Sequence, residues 1–131
     1  MTPRVVLYVE DDAVNALLME GIVELLPGTR LRVARTGAEA QRIVAAEPVD
    51  LLLCDLRLPD VAGDQLPTLL RQAGLPATVP AVLVTAESEC VAADLARDAG
   101  FDAFWCKPLD VAATLRSLSE WLHAAPRATV G

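Results

Sequence analysis

The sequence predicts one doubly wound α/β domain, a five-stranded parallel sheet with helices on both faces. Three observations predict it. Short, unbroken apolar runs, Val5-Val6-Leu7-Tyr8-Val9 and Leu51-Leu52-Leu53-Cys54 foremost, read as strands covered on both faces. Segments with apolar residues at helical spacing lie between such runs, and that alternation specifies right-handed crossovers within one sheet. Several runs stop abruptly on a polar residue, at the carboxyl ends of strands, where open parallel sheets collect ligands.

In order, the first strand, Val5 to Val9, ends on Glu10-Asp11-Asp12. Asp12 caps a helix whose residues Val14, Leu17, Leu18, Gly21, Ile22 and Leu25 form an expected inward stripe, and Pro27-Gly28 stops it. Leu31-Arg32-Val33-Ala34 alternates, so one face is less covered and the strand belongs at a sheet edge. Thr36-Gly37-Ala38-Glu39 has capping-box spacing and opens a helix to about Ala46, with Ile43 and Val44 inward.

The central strand, Leu51 to Cys54, ends on Asp55 and is followed by Leu56-Arg57-Leu58-Pro59-Asp60-Val61-Ala62-Gly63. A helix from about Asp64 to Ala73 carries Leu66, Leu69 and Leu70, and tolerates Pro67 in its first turn. Ala81 to Val84 forms a fourth strand stopping at Thr85-Ala86. Ser88 caps an alanine-rich helix that ends at Gly100. Ala103-Phe104-Trp105-Cys106 is the fifth strand and runs into Lys107-Pro108. Asp110 caps the last helix, with Val111, Leu115, Leu118 and Leu122 inward. The domain is expected to span residues 1–125, with 126–131 a short disordered tail.

A chain of 131 residues buries roughly two thirds of its unfolded surface without staples. The three cysteines, Cys54, Cys90 and Cys106, lack paired metal spacing and read as small core residues in a reducing cytoplasm. No apolar run approaches the roughly 20 residues that span a bilayer, so no membrane association is expected. A formal charge of −7 argues against direct binding to nucleic acid. His123 reads as a surface residue at a helix C-terminus. Trp105 and Trp121 leave two readings open, partner contact and ordinary edge packing.

Four strands thus end on chemically capable residues: Glu10/Asp11, Asp55, Thr85 and Lys107. Asp55 lies 44 residues after Asp11, Thr85 a further 30 on, and Lys107 a further 22 on. Each gap fits one or two strand-helix repeats, so all four open on one sheet edge. Carboxylates converging there repel at ~4 kcal/mol per close pair at an effective dielectric near 20. A hard cation relieves that repulsion, and Mg²⁺ suits few carboxylates, retained waters and a phosphoryl ligand. Lys107 adds positive charge and Thr85 a hydroxyl able to hydrogen-bond a phosphoryl oxygen. Such a site stabilises the charge that develops when a carboxylate attacks phosphorus.

Taken together, Val9-Glu10-Asp11-Asp12, Asp55-Leu56-Arg57-Leu58-Pro59-Asp60 with Gly63, Thr85-Ala86 and Phe104-Trp105-Cys106-Lys107-Pro108 resemble the receiver domains of two-component response regulators. The resemblance runs from Arg4 to about Leu122. It implies a flavodoxin-like fold with strand order 2-1-3-4-5, for which a chemotaxis receiver is a standing example. It also implies that Asp55 accepts a phosphoryl group from a histidine kinase or a histidine phosphotransfer domain. By the same resemblance, Asp11 and Asp55 hold Mg²⁺, or Mn²⁺, directly, Glu10 through water, and Arg57 by its backbone carbonyl. Thr85 and Lys107 contact the phosphoryl oxygens, and the Lys107-Pro108 bond is often cis in relatives.

Phe104 occupies the position of the aromatic switch, where many relatives have tyrosine. Thr85 and Phe104 would move on phosphorylation and alter the face made by the fourth helix, fifth strand and fifth helix, to which a downstream protein binds. Arg57 and Glu87, each two residues after a site residue, are expected to pair and modulate hydrolysis of the phosphoryl group. The chain is expected to be a monomer or a phosphorylation-dependent homodimer. It is not expected to be an enzyme, beyond self-phosphorylation from a donor and slow autodephosphorylation. Haloacid-dehalogenase-like phosphotransferases generally place a second aspartate where this chain has Arg57, which counts against that class. A phosphorylation-independent binding module and a receiver cut from a larger regulator or hybrid kinase stand as alternatives.

Overall fold

Strands β1 (Arg4–Val9), β2 (Thr29–Ala34), β3 (Leu51–Asp55), β4 (Ala81–Thr85) and β5 (Ala103–Cys106) form one sheet in the order β2-β1-β3-β4-β5. All four pairings are parallel. The order is the one expected of the flavodoxin-like class, and β2 lies at an edge as its alternating pattern predicts. Helices α1 (Ala13–Glu24), α2 (Gly37–Ala46), α3 (Leu66–Gln72), α4 (Glu89–Ala99) and α5 (Val111–Ala124) connect or follow the strands. The computed structural model describes residues 2–124, so the expected boundary at 125 and the tail 126–131 lie outside the described residues.

The sheet divides the core into two layers by strand parity. Val5, Leu7, Val9, Leu52, Cys54, Ala81 and Leu83 face a cluster with Ala40, Ile43, Val44, Leu66, Leu70 and Ala96, which belong to α2, α3 and α4. Val6, Tyr8, Leu51, Leu53, Val82 and Val84 face Met19, Ile22, Val23, Leu118 and Leu122 of α1 and α5. Residues alternate between faces along a strand, so continuous apolar runs supply both layers at once. Each fully buried aliphatic side chain contributes about 1.5–3 kcal/mol, enough for the three central strands to anchor the domain.

Caps and loops follow their residues in most places. Asp12 accepts hydrogen bonds from the backbone N–H groups of Val14 and Asn15, and Thr36 Oγ1 accepts one from Glu39 N. Asp110 accepts from Ala113 N, and Gly100 closes α4 at φ 83°, a left-handed conformation suited to glycine. The Lys107-Pro108 bond is cis. At the amino end of the sheet Asp50 accepts from Val5 N and Asp102 from Ala81 N, tying loops to strand starts.

Five local expectations are corrected. On α1 the expected stripe is largely exposed, with Val14 at 75% and Leu17 at 67%, and Leu18, Gly21 and Leu25 outward as well. Ile22 is buried as expected, but its buried neighbours are Met19 and Val23, with Leu26 packed beside them. Positions 19, 22, 23 and 26 have helical spacing too, so the periodicity offered two stripes and the sheet selects the second. Val111, first residue of α5, is exposed because the opening turn overhangs the packed layer. Cys90 is exposed rather than core, on the outer side of the first turn of α4. Ser88 occupies the N-cap position of α4 but makes no side-chain cap bond. The third helix is shorter than expected, because a 3₁₀ turn, Gly63–Gln65, precedes α3.

Candidate functional site

Parallel strands bring their carboxyl ends to one edge, and there the chain forms a cleft of about 440 Å³ lined by Glu10, Asp11, Asp12, Asp55, Arg57, Thr85, Glu87 and Lys107. Register sets the neighbours. Val9 pairs with Cys54, Asp55 with Val84 and Thr85 with Cys106, so the residues at or just past these pairs meet across adjacent strands. A larger hollow of about 720 Å³ lies at the opposite edge, lined by Arg4, Pro27, Gly28, Ser119 and His123. The acidic cleft is the chemical candidate because charged groups converge in it at strand carboxyl ends.

Glu10, Asp11 and Asp55 each place an oxygen within 4.8 Å of the others, Glu10 and Asp55 buried and Asp11 exposed. Lys107 Nζ donates to Glu10 Oε1 at 2.8 Å and to Asp55 Oδ1 at 3.4 Å. One ammonium thus meets two of the three clustered carboxylates. Burial pushes the Asp55 carboxyl up to about 6, and the hydrogen-bonding and charge of Glu10 push the same way against the pull of Lys107. Burial also opposes ionisation of Glu10, but the Lys107 hydrogen bond and other donors outweigh it and hold Glu10 below the usual carboxylate range. Burial of Lys107 is likewise outweighed by the Glu10 hydrogen bond and the two negative charges, and its ammonium is held above the ordinary lysine value.

This donor set fits a hard divalent cation. Three clustered carboxylate oxygen donors with one side open to solvent match a site for a cation that keeps several waters. The excess negative charge left by Lys107 gives the cluster a reason to bind one.

The loop after Asp55 is held closely. Gly63 N donates to Leu56 O at 2.9 Å, and Arg57 and Ala62 form an isolated antiparallel bridge. A Cβ on Gly63 would overlap Asp55 O and lie 2.7 Å from Leu56 Cα, so only glycine permits this return over the strand end. Asp60 accepts from Gly37 N at 2.8 Å and Ala38 N at 3.0 Å, which fastens the loop to the start of α2. Those two bonds hold the Asp60 carboxyl below its ordinary value.

The family model for the response regulator receiver domain matches residues 6–119. The chain belongs to the response regulator receiver family. It is 28% identical over 123 residues to the polar-differentiation response regulator DivK of Brucella anthropi, covering 94% of this chain and 99% of that protein. It is 31% identical over 109 residues to the TorCAD operon transcriptional regulatory protein TorR of Escherichia coli O157:H7, covering 83% of this chain but 46% of TorR. Among solved structures it resembles the receiver domain of the sensor histidine kinase PA1611 of Pseudomonas aeruginosa PAO1, described with a magnesium ion coordinated in its active-site cleft. The TM-score is 0.80 and the identity 27%, covering 92% of this chain and 98% of that one. The receiver domain of a signal transduction histidine kinase from Syntrophus aciditrophicus matches at a TM-score of 0.82 and 25% identity, covering 98% and 96% of the two chains.

In this receiver the expected site residues Glu10, Asp11, Asp55, Arg57, Thr85, Glu87 and Lys107 line one cleft. Arg57 Nη2 meets Glu87 Oε1 at 3.1 Å at its rim, with the Arg57 side chain 84% exposed. Thr85 is buried and its Oγ1 accepts from Glu87 N. Phe104 does not line the cleft. It is half-buried against the layer of α2, α3 and α4, pairs with Leu83, and shares a strand parity with Thr85, whose own partner is Cys106. Trp105 and Trp121 are both half-buried against the α1/α5 layer, so each has a packing role.

Two site-shaping residues escaped the sequence reading. Tyr8 is fully buried, and its hydroxyl donates to Glu10 Oε1 at 2.9 Å. The spacing of two along a strand puts Tyr8 and Glu10 on one face, a signal that was present. Asp60 reaches α2 through tertiary contact alone, which local spacing does not encode. Among the described residues no helix is long and apolar enough to cross a membrane.

Proposed function

We propose that this receiver accepts a phosphoryl group on Asp55 from the phosphohistidine of a histidine kinase or a histidine phosphotransfer domain. The observation that carries the proposal is the seat of Asp55, buried at the end of β3, with two further acids and the Lys107 ammonium around it. In the transfer a carboxylate oxygen of Asp55 forms the new bond to phosphorus, the phosphorus–nitrogen bond of the donor breaks, and the imidazole keeps the electron pair. Asp11 and Asp55 would hold Mg²⁺, or Mn²⁺, with Glu10 and the Arg57 carbonyl as the supporting groups beside it. When bound, the cation offsets the negative charge gathered between carboxylates and phosphoryl group.

Lys107 is within 3.4 Å of Asp55 and binds a phosphoryl oxygen there, exchanging part of its pairing with Glu10 for the new anion. Thr85 supplies a hydroxyl to another oxygen. Drawing Thr85 toward the phosphoryl group vacates space on the sheet face it shares with Phe104, and the ring turns inward, altering the α4-β5-α5 face read by a downstream protein. Phe104 lacks a hydroxyl to pin its inward position. NMR tests this arm: an unchanged Phe104 environment on phosphorylation would reject it. Arg57 and Glu87 stand at the rim and hinder the attacking water.

The exposed apolar residues Val14, Leu17 and Leu18, at the start of α1 beside Asp11 and Asp12, support α1 as the surface on which the phosphodonor docks. The proposed protein is cytoplasmic, makes no direct nucleic-acid contact, and acts as a monomer or phosphorylation-dependent homodimer. The chain spans 99% of DivK but 46% of TorR, so a stand-alone receiver and one unit of a larger regulator both fit the family. Incubation with a radiolabelled phosphohistidine donor tests the reaction. Label should move to the wild-type chain and not to Asp55→Asn; retention of label by Asp55→Asn would overturn the assignment.

A further inference from the structure

Tyr8 has no place in the reaction just described, yet it is the one phenol in the chain and is fully buried beneath the cleft. Its ring packs in the α1/α5 layer with Met19, Ile22, Leu53 and Leu118. Its hydroxyl rises out of that layer to Glu10 Oε1 at 2.9 Å. The same oxygen takes Lys107 Nζ at 2.8 Å, so both donors to Oε1 come from opposite sides of the chain's length. The other oxygen, Oε2, takes a long contact of 3.4 Å from Asp12 N. Glu10 therefore has one oxygen fastened by two close donors and the other held by a longer contact.

We propose that Tyr8 is a positioning residue of the cation site: its hydroxyl fastens Glu10 Oε1 and thereby fixes the Glu10 carboxylate in the cluster with Asp11 and Asp55 that would hold the cation. The proposal rests on the Mg²⁺-dependent reading above. Lys107 alone cannot perform this role throughout the reaction, because its ammonium also reaches Asp55 and is needed by the phosphoryl group. The Tyr8 hydroxyl belongs to a ring locked by packing and has no second acid within the bonds the structure shows. It holds Glu10 while Lys107 changes partners. Groups that orient a carboxylate at a metal site commonly govern affinity by 10–100-fold although they never touch the ion.

The test is calorimetric titration of Mg²⁺ into the unphosphorylated wild-type protein, Tyr8→Phe and Met19→Leu, each checked by thermal unfolding in chelator. Tyr8→Phe keeps the ring and removes only the hydroxyl. Met19→Leu disturbs the same packed layer without touching a hydrogen bond to Glu10. The expected result is a Kd for Mg²⁺ raised about tenfold in Tyr8→Phe and unchanged in Met19→Leu, with both proteins folded. A Kd for Tyr8→Phe within twofold of wild type would overturn the proposal, as would equal weakening in Met19→Leu, which would assign the effect to packing. Absence of Mg²⁺ binding by the wild-type protein would instead contradict the reading of the cleft itself, and Tyr8's role with it.

Discussion

Lys107 Nζ lies 2.8 Å from Glu10 Oε1, joining the ends of β5 and β1 across 97 residues of sequence. Glu10 is 1% exposed, so this is a buried carboxylate with a cation supplied by a distant strand. Removing one partner of such a pair leaves the other uncompensated, which costs about 3–5 kcal/mol in well-buried cases. Lys107→Met is expected to lose about 2–3 kcal/mol near pH 7, discounted because Lys107 is partly exposed. The sign with pH follows from Glu10, whose carboxyl is held below its ordinary value in the folded state. Its pairing stabilises the fold above the usual carboxylate range and is lost as pH falls through the folded value. Wild-type and Lys107→Met unfolding curves should therefore converge on acidification; a gap that persists at low pH would count against the pair as its cause.

Asp55 behaves in the opposite sense. Its carboxyl is raised to about 6, first by burial and then by Glu10, so the folded state binds its proton more tightly than the unfolded chain. Ionised Asp55 thus weakens the fold at pH above about 6, and that penalty disappears as pH falls below the ordinary carboxylate value. In chelator at pH 7.5, Asp55→Asn should be more stable than wild type by about 1 kcal/mol, with the gain vanishing near pH 4. Mg²⁺ should raise the midpoint of wild type more than that of Asp55→Asn. Thermal unfolding at several pH values reads both effects, and a destabilised Asp55→Asn at pH 7.5 would refute the first.

Gly63 marks the tightest backbone return in the site. Its missing Cβ would lie 2.7 Å from Leu56 Cα, with Asp55 O closer still, and both neighbours are backbone, which gives way poorly. Gly63→Ala is expected to cost about 2–4 kcal/mol and to weaken Mg²⁺ binding by shifting Asp55 and Arg57. Denaturant unfolding and cation titration measure the two effects. Unchanged stability would mean that the loop opens at little cost.

The Arg57–Glu87 pair is exposed at the rim, where such ion pairs contribute only about 0–1 kcal/mol. Stability is not expected to change when it is removed. Hydrolysis of the phosphorylated protein should be faster in Arg57→Ala and in Glu87→Ala, by about 2–10-fold, because water reaches phosphorus more freely. Single-turnover loss of label reads this directly, and unchanged rates in both variants would remove the pair from the mechanism.

The architecture was legible wherever one physical demand dominated a segment. Strands buried on both faces must be apolar throughout, so β1, β3 and β4 stood out, and the acids at the ends of β1 and β3 were placed at one edge by the parallel topology. The face of α1 was not legible. Its apolar residues satisfy two helical stripes that share Ile22, and only the sheet chooses Met19 and Val23 over Val14, Leu17 and Leu18. Tyr8 was read as one more apolar strand residue, because a fully buried hydroxyl is identified by its partner rather than by its neighbours in sequence. Asp60 was hidden for the same reason, since its bonds to Gly37 and Ala38 exist only once β2 and β3 share a sheet.

Asp55 as phosphoryl acceptor and a divalent cation as its requirement rise or fall together. Intact mass after incubation with acetyl phosphate and Mg²⁺ tests them most directly, with Asp55→Asn and a chelated sample alongside. The wild-type chain should gain one phosphoryl group, and neither control should gain any. A folded wild-type chain that gains nothing, or an Asp55→Asn chain that gains as much as wild type, would contradict this.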